Sequence, residues 1–101
     1  MSENQDVSRA IACFEASEDI AFLREVLRAI RPKAETAALQ AARRGKTPPQ
    51  PGAIEAALEA ATPAEAMATV RATKDFALLQ SMARAAGRRA EELAAQAGDT
   101  A

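Results

Sequence analysis

The chain carries one stretch twice. Residues 10–35, AIACFEASEDIAFLREVLRAIRPKAE, align without a gap on residues 66–91, AMATVRATKDFALLQSMARAAGRRAE, at an offset of 56. Ten of the 26 pairs are identical, but six of those are alanine pairs in a chain with 28 alanines. Order is therefore a stronger signal than identity. In each copy a hydroxyl and an aspartate (Ser17 and Asp19, Thr73 and Asp75) precede a run of large apolar residues. That run is Ile20, Phe22, Leu23 and Val26 in the first copy, and Phe76, Leu78, Leu79 and Met82 in the second. Self-similarity at a fixed offset constrains the fold before any other feature, because both copies must bury the same faces. The reading is a duplicated helix-turn-helix hairpin, with Ser17 and Thr73 as equivalent caps. An offset of 56 matches none of the usual solenoid periods, and two copies are too few for an array.

On a helical wheel, Ile20, Phe22, Leu23, Val26, Leu27 and Ile30 fill about half the circumference. Arg24, Glu25, Arg28 and Arg31 take the rest. In the second copy Phe76, Leu78, Leu79, Met82, Ala83 and Ala86 fill the same arc. An arc so wide has to meet more than one neighbour, which places these two helices at the centre of a bundle. Where the first copy carries Leu27 and Ile30, the second carries Ala83 and Ala86, so large is expected to pack over small.

Between the copies the chain changes character. Pro32 is expected to stop or kink the second helix, since it lacks an N–H and disfavours helical geometry in the residue before it. A third helical segment runs from Lys33 to Arg44 with one large apolar residue, Leu39, and Gly45 as its C-terminal cap. Lys46 to Gly52, with Pro48, Pro49 and Pro51, reads as an extended linker. A short helix over 53–61 follows. Thr62-Pro63-Ala64-Glu65 then combines an N-cap, a proline at the first helical position and a capping box. Asp6 is expected to cap the first helix, and Gly87 to weaken the last. No segment alternates with period two. The expected fold is all-α: one domain of 101 residues and five or six helices. The two hairpin repeats span about 6–44 and 62–97, joined through the linker at 45–52 and the helix at 53–61.

Composition narrows the chemistry. The chain has no histidine, which removes the commonest general base and the commonest divalent-metal ligand. Its single cysteine, Cys13, aligns with Thr69 and reads as small buried filler rather than a nucleophile. Glu15, Glu18, Asp19 and Glu25 gather near the first turn without the glycine or ligand density of a calcium loop. The four glycines are isolated, so none forms a phosphate loop. No catalytic residue, cofactor or metal is expected, and an enzyme is the least favoured class.

A formal net charge of −1 gives no global attraction to polyanions. Short apolar runs cannot span a bilayer. The polar N-terminus (MSENQD) has no secretory character, so a cytoplasmic location is expected. The reading is a non-enzymatic protein–protein interaction or adaptor module, associating with its own copy or another protein through helix faces. Phe22, Val26, Leu78 and Met82 are the candidate contact residues. The rival is a nucleic-acid-associated helical protein, a regulator or small subunit of a DNA-handling assembly. It would use Arg43, Arg44, Lys46, Arg84, Arg88 and Arg89 on phosphates.

Overall fold

A computed structural model describes residues 3–46 and 59–98, and all regular structure among them is helical. Four helices form, rather than five or six: α1 (Glu3–Ala16), α2 (Ile20–Arg43), α3 (Pro63–Ala72) and α4 (Phe76–Gly98). Two short–long pairs thus succeed each other. α1 ends at Ala16 and α3 at Ala72; α2 begins at Ile20 and α4 at Phe76. Both pairs of boundaries keep the offset at which the two stretches align.

Pro32 lies inside α2 without ending it. The expected second and third helices are one. A proline in a helix interior costs about 3 kcal/mol, because it removes one N–H and crowds the carbonyl four residues back. Here that carbonyl belongs to Arg28, an exposed residue, so water can take the vacated bond. Contacts on both sides hold the helix through the proline. Ile30 is buried, Lys33 Nζ donates to Arg71 O at 3.0 Å, and the Thr36 hydroxyl donates to Pro32 O at 3.0 Å.

The helix ends are set by local hydrogen bonds. Asp19, not Ser17, caps α2: its Oδ1 accepts from the backbone N–H of Ala21 and Phe22 at 3.0 and 3.2 Å. Asp75, not Thr73, does the same for α4, accepting from Leu78 N–H at 3.1 Å. Ser17 instead accepts from Asp19 N–H. Thr73 turns back and donates to Thr69 O at 2.7 Å, closing α3. The first helix starts at Glu3, so Asp6 lies within it rather than capping it.

Thr62 and Glu65 form the reciprocal capping box with Pro63 at the first position of α3. Gly45 adopts φ +71° after α2. The N–H of Gly45 bonds Ala42 O and that of Lys46 bonds Ala41 O, the two bonds of a Schellman ending. The 53–61 helix lies outside the described residues up to 58, and residues 59–61 are not helical. Most of the expected 45–52 linker is likewise outside them.

The pairing of helices differs from two closed hairpins. α1 and α2 scarcely touch each other, nor do α3 and α4. Three-residue links at 17–19 and 73–75 join the helices of each pair. The extensive contacts run across: α2 on α4, α1 on α3, α1 on α4 and α2 on α3. α2 and α4 run antiparallel, since Arg89 in α4 reaches Ser17 just before α2, while Lys33 in α2 reaches Arg71 just before α4.

The core is shared between the two pairs. α1 contributes Val7, Ala10, Cys13 and Phe14; α2 contributes Leu23, Val26 and Ile30. From the other side come Ala66 and Val70 of α3, with Leu79, Met82, Ala85, Ala86 and Ala90 of α4. The three buried residues of α2 align in sequence with Leu79, Met82 and Ala86, all buried. Ile30 and Ala86 lie in the core, with Leu27 and Ala83 half-buried beside it. Leu27 also faces Gly87, where an added Cβ would sit 4.0 Å from Leu27 Cδ2.

Candidate functional site

The four apolar candidates divide in two. Val26 and Met82 are fully buried inside the monomer. Both lie inside the core, so a partner cannot reach them while the bundle is closed. Phe22 and Leu78 are half-buried, packed on the core by one side only. Each sits in the first turn of a long helix, and that turn's carboxylate cap fixes its direction. Phe22 leans on Phe14, with ring centroids 6.1 Å apart and planes tilted by 49°. Ile20, in the same turn as Phe22, is also half-buried, as is Phe76 in the turn of Leu78. Leu39 is the one large apolar residue with most of its surface in water among the described residues, at 62% exposure. A lone exposed leucine is ordinary on a protein surface.

The six basic candidates are not one patch. Arg43, Arg44 and Lys46 lie exposed at the end of α2. Arg84 and Arg88 are exposed on α4. The antiparallel packing sends the two groups in opposite directions from the place where Lys33 meets the end of α3. At about 1.5 Å per residue, roughly ten residues of α2 and about as many of α4 separate them by about 30 Å. Arg89 is occupied: its Nε donates to Ser17 O at 2.7 Å, and its guanidinium lies 3.4 Å from Glu92. Its side chain is 19% exposed.

Sequence reasoning missed what Arg89 and Lys33 do. They stand at the same place in the two aligned stretches, each followed by Ala-Glu. Each donates to a carbonyl at the C-terminal end of the opposite short helix. That end carries the negative pole of the helix and unpaired carbonyls, so a cation is favoured there. Another pairing was equally hidden. Arg9 and Glu65 stand at the same offset, and they meet between α1 and α3 at 3.7 Å. The basic residue before each aligned Ala-Glu was the available signal for the first pair. Nothing in the sequence pointed to the second.

The remaining thiol and carboxylates form no further site among the described residues. Burial raises the pKa of the Cys13 thiol, which keeps it protonated and a poor nucleophile. Glu15, Glu18, Asp19 and Glu25 are exposed, and no three potential metal-ligating side chains converge among the described residues. No described helix is long and apolar enough to cross a membrane.

One open groove of 420 Å³ is lined by Pro32, Lys33, Thr36 and Gln40 of α2 with Thr73 and Lys74. The hydroxyls of Thr36 and Thr73 both donate to backbone carbonyls, and Lys33 is held by Arg71 O. Of the two ammonium groups that line it, that of Lys74 has no bond of this kind, and a single ammonium is not an acid–base pair. No family model matches this sequence, and no curated protein or solved structure matches it either.

Proposed function

We propose that this chain works by holding protein rather than by transforming a substrate: a helical interaction module that associates through helix faces, with its own copy first. The observation that carries this reading is the repeated half-covered first turn of each long helix, Ile20 with Phe22 and Phe76 with Leu78. The molecule offers the same kind of apolar edge twice, at corresponding positions.

The reading includes an origin for that repetition: the chain is a duplicated unit that folds as a two-fold dimer within itself. Support comes from the matching helix boundaries, the corresponding buried trios and the Lys33 and Arg89 clasps. In a dimer of identical units, position 9 would face its own copy and bring like charges together. Here one copy carries Arg9 and the other Glu65, and they attract. Joining two units in one chain frees such self-facing positions to become complementary.

Light scattering at micromolar concentration tests the proposal. A mass above the 10.6 kDa of one chain is expected, falling toward it in Leu78→Gln with the helical content unchanged. A mass fixed at 10.6 kDa at every concentration removes self-association and leaves only heteromeric contact. Steeply salt-dependent binding of labelled duplex DNA would favour the rival reading instead.

A further inference from the structure

We infer that the groove between α2 and the α3–α4 turn binds a small organic dianion, a phosphate monoester or a dicarboxylate. Such a ligand is held by a single chain, whether or not copies associate. The two ends of the bundle make the case, because aligned residues that fill one end leave the other open. Continued past residue 35 at the same offset, the alignment pairs Thr36 with Glu92, Ala37 with Leu93 and Gln40 with Gln96; in the turns it pairs Lys74 with Glu18. Lys33 and Arg89 hold corresponding places, each bonded to a carbonyl just before the opposite long helix. Around Arg89 the space is taken. Leu93 packs against the core, and Glu92 meets the Arg89 guanidinium at 3.4 Å. Around Lys33, Ala37 stands in the place of the leucine and Thr36 in that of the glutamate, and a groove of 420 Å³ is open. Small-ligand sites occupy about 300–1,000 Å³, so the size fits.

The sign of the ligand follows from the lining. Two ammonium groups, Lys33 and Lys74, wall the groove, and no carboxylate does. The corresponding residues at the other end balance, Arg88 and Arg89 against Glu18 and Glu92. Asp75, next to Lys74, is turned to the Leu78 N–H as the cap of α4. The bond from Lys33 to Arg71 O at 3.0 Å fixes that ammonium in place and uses one of its three donors, leaving two for a ligand. Lys74 is exposed and brings its own donors. The Thr36 and Thr73 hydroxyls donate to backbone carbonyls, so their oxygens remain as acceptors, and the Gln40 amide both donates and accepts. Two cations with acceptors beside them suit an anion that also carries a hydroxyl. A single carboxylate leaves one ammonium unmatched.

Titration of the ¹⁵N-labelled full chain, followed by backbone amide shifts at constant ionic strength, tests the site. The probes are glycerol phosphate and malate, with acetate and glycerol as their singly charged and neutral counterparts. Saturable shifts are expected at residues 33–40 and 73–74 for at least one dianion, with a Kd on the order of millimolar or tighter. Acetate and glycerol should bind at least about tenfold more weakly. The dianion that binds more tightly names the ligand's charged group. Ala37→Leu should fill the groove as Leu93 fills its counterpart, and abolish the shifts. Lys74→Glu gives the open end the charge of the other, and should weaken binding at least about tenfold. Arg84→Glu, an equal charge change elsewhere on the exposed surface, should weaken it less than about twofold. Lys74 is exposed, so Lys74→Glu keeps the fold even where Ala37→Leu does not. No saturation by either dianion at tens of millimolar overturns the site. So does binding that survives Ala37→Leu, and so do equal losses in Lys74→Glu and Arg84→Glu, which reduce it to unspecific charge attraction.

Discussion

Two cations at corresponding positions do the same work with different chemistry, and their surroundings decide how much each contributes. Hydrogen bonds from charged groups contribute about 1.5–3 kcal/mol when shielded and less in water. Arg89 is largely covered and bonds Ser17 O at 2.7 Å, whereas the Lys33 bond is exposed. Arg89→Ala is expected to lower unfolding free energy by about 1–2 kcal/mol, and Lys33→Ala by under about 1 kcal/mol. Because a lysine, Lys33, makes the like bond at the aligned position, Arg89→Lys should recover part of the loss. Urea denaturation checks the order, and equal losses for both alanine variants would show that exposure does not govern it.

A second residue-scale effect depends on pH. The Glu65 carboxyl is held below its ordinary value of 4.5, first by the Thr62 backbone N–H and then by the Thr62 side chain and Arg9. A lowered folded-state pKa adds stability above the unfolded value and loses it as pH falls through the folded one. Glu65→Gln keeps the capping oxygen but not the charge. It should melt below the parent protein at about pH 7, and the gap should close as pH drops below 4.5. A gap that persists in acid would assign the effect to geometry rather than charge.

Among the elements, the two long helices share the most extensive contact, and Leu27 of α2 faces Gly87 of α4. Ala86 is fully buried on α4, whose most extensive contact is with α2. Ala86→Leu is expected to overpack the core and cost about 1–3 kcal/mol. Ala95→Leu, on the exposed end of α4, serves as the control. If both melt alike, the helices do not meet as described. Gly87→Ala goes the other way. A methyl there meets Leu27 Cδ2 at an ordinary contact distance of 4.0 Å, so the gain in helix propensity of up to about 1 kcal/mol should appear as a higher melting temperature.

The same elements show which rules a sequence exposes. Thr62, Pro63, Glu65 and Gly45 were legible because caps are local: donor, acceptor and backbone dihedral lie within a few residues. At Pro32 the sequence points to a stop or kink because the proline's cost is local, while its compensation, Ile30 in the core and Lys33 on Arg71 O, is not. The sequence points to Ser17 and Thr73 as caps because a hydroxyl caps as well as a carboxylate does, and only the backbone path shows that Asp19 and Asp75 accept from the helix N–H groups instead. The candidate contacts Phe22 and Val26 share one wheel arc, and only the facing helix distinguishes the open residue from the buried one. Which helices pair was invisible, since a wide apolar arc states how much must be covered and not by what.

At the scale of the whole molecule, a core shared by two halves leaves neither able to unfold alone. If α1–α2 came away, the buried faces of Leu79, Met82 and Ala86 would open to water along with those of Leu23, Val26 and Ile30. The slowest amides in both long helices are therefore expected to exchange hydrogen through one event, with the free energy of global unfolding. The end of α2 is the exception. Beyond Thr36 its residues are half-buried or exposed, and its Schellman ending is all that closes it. Amides of residues 39–43 should exchange by fraying, with a lower free energy and little dependence on denaturant. Native-state hydrogen exchange across a urea series measures both. Convergence of the α2 and α4 core amides onto one denaturant-dependent line is the expected outcome. Protection that survives in α3–α4 after it is lost from α1–α2 would make the halves independent units, and the shared-core account of this fold would fail with it.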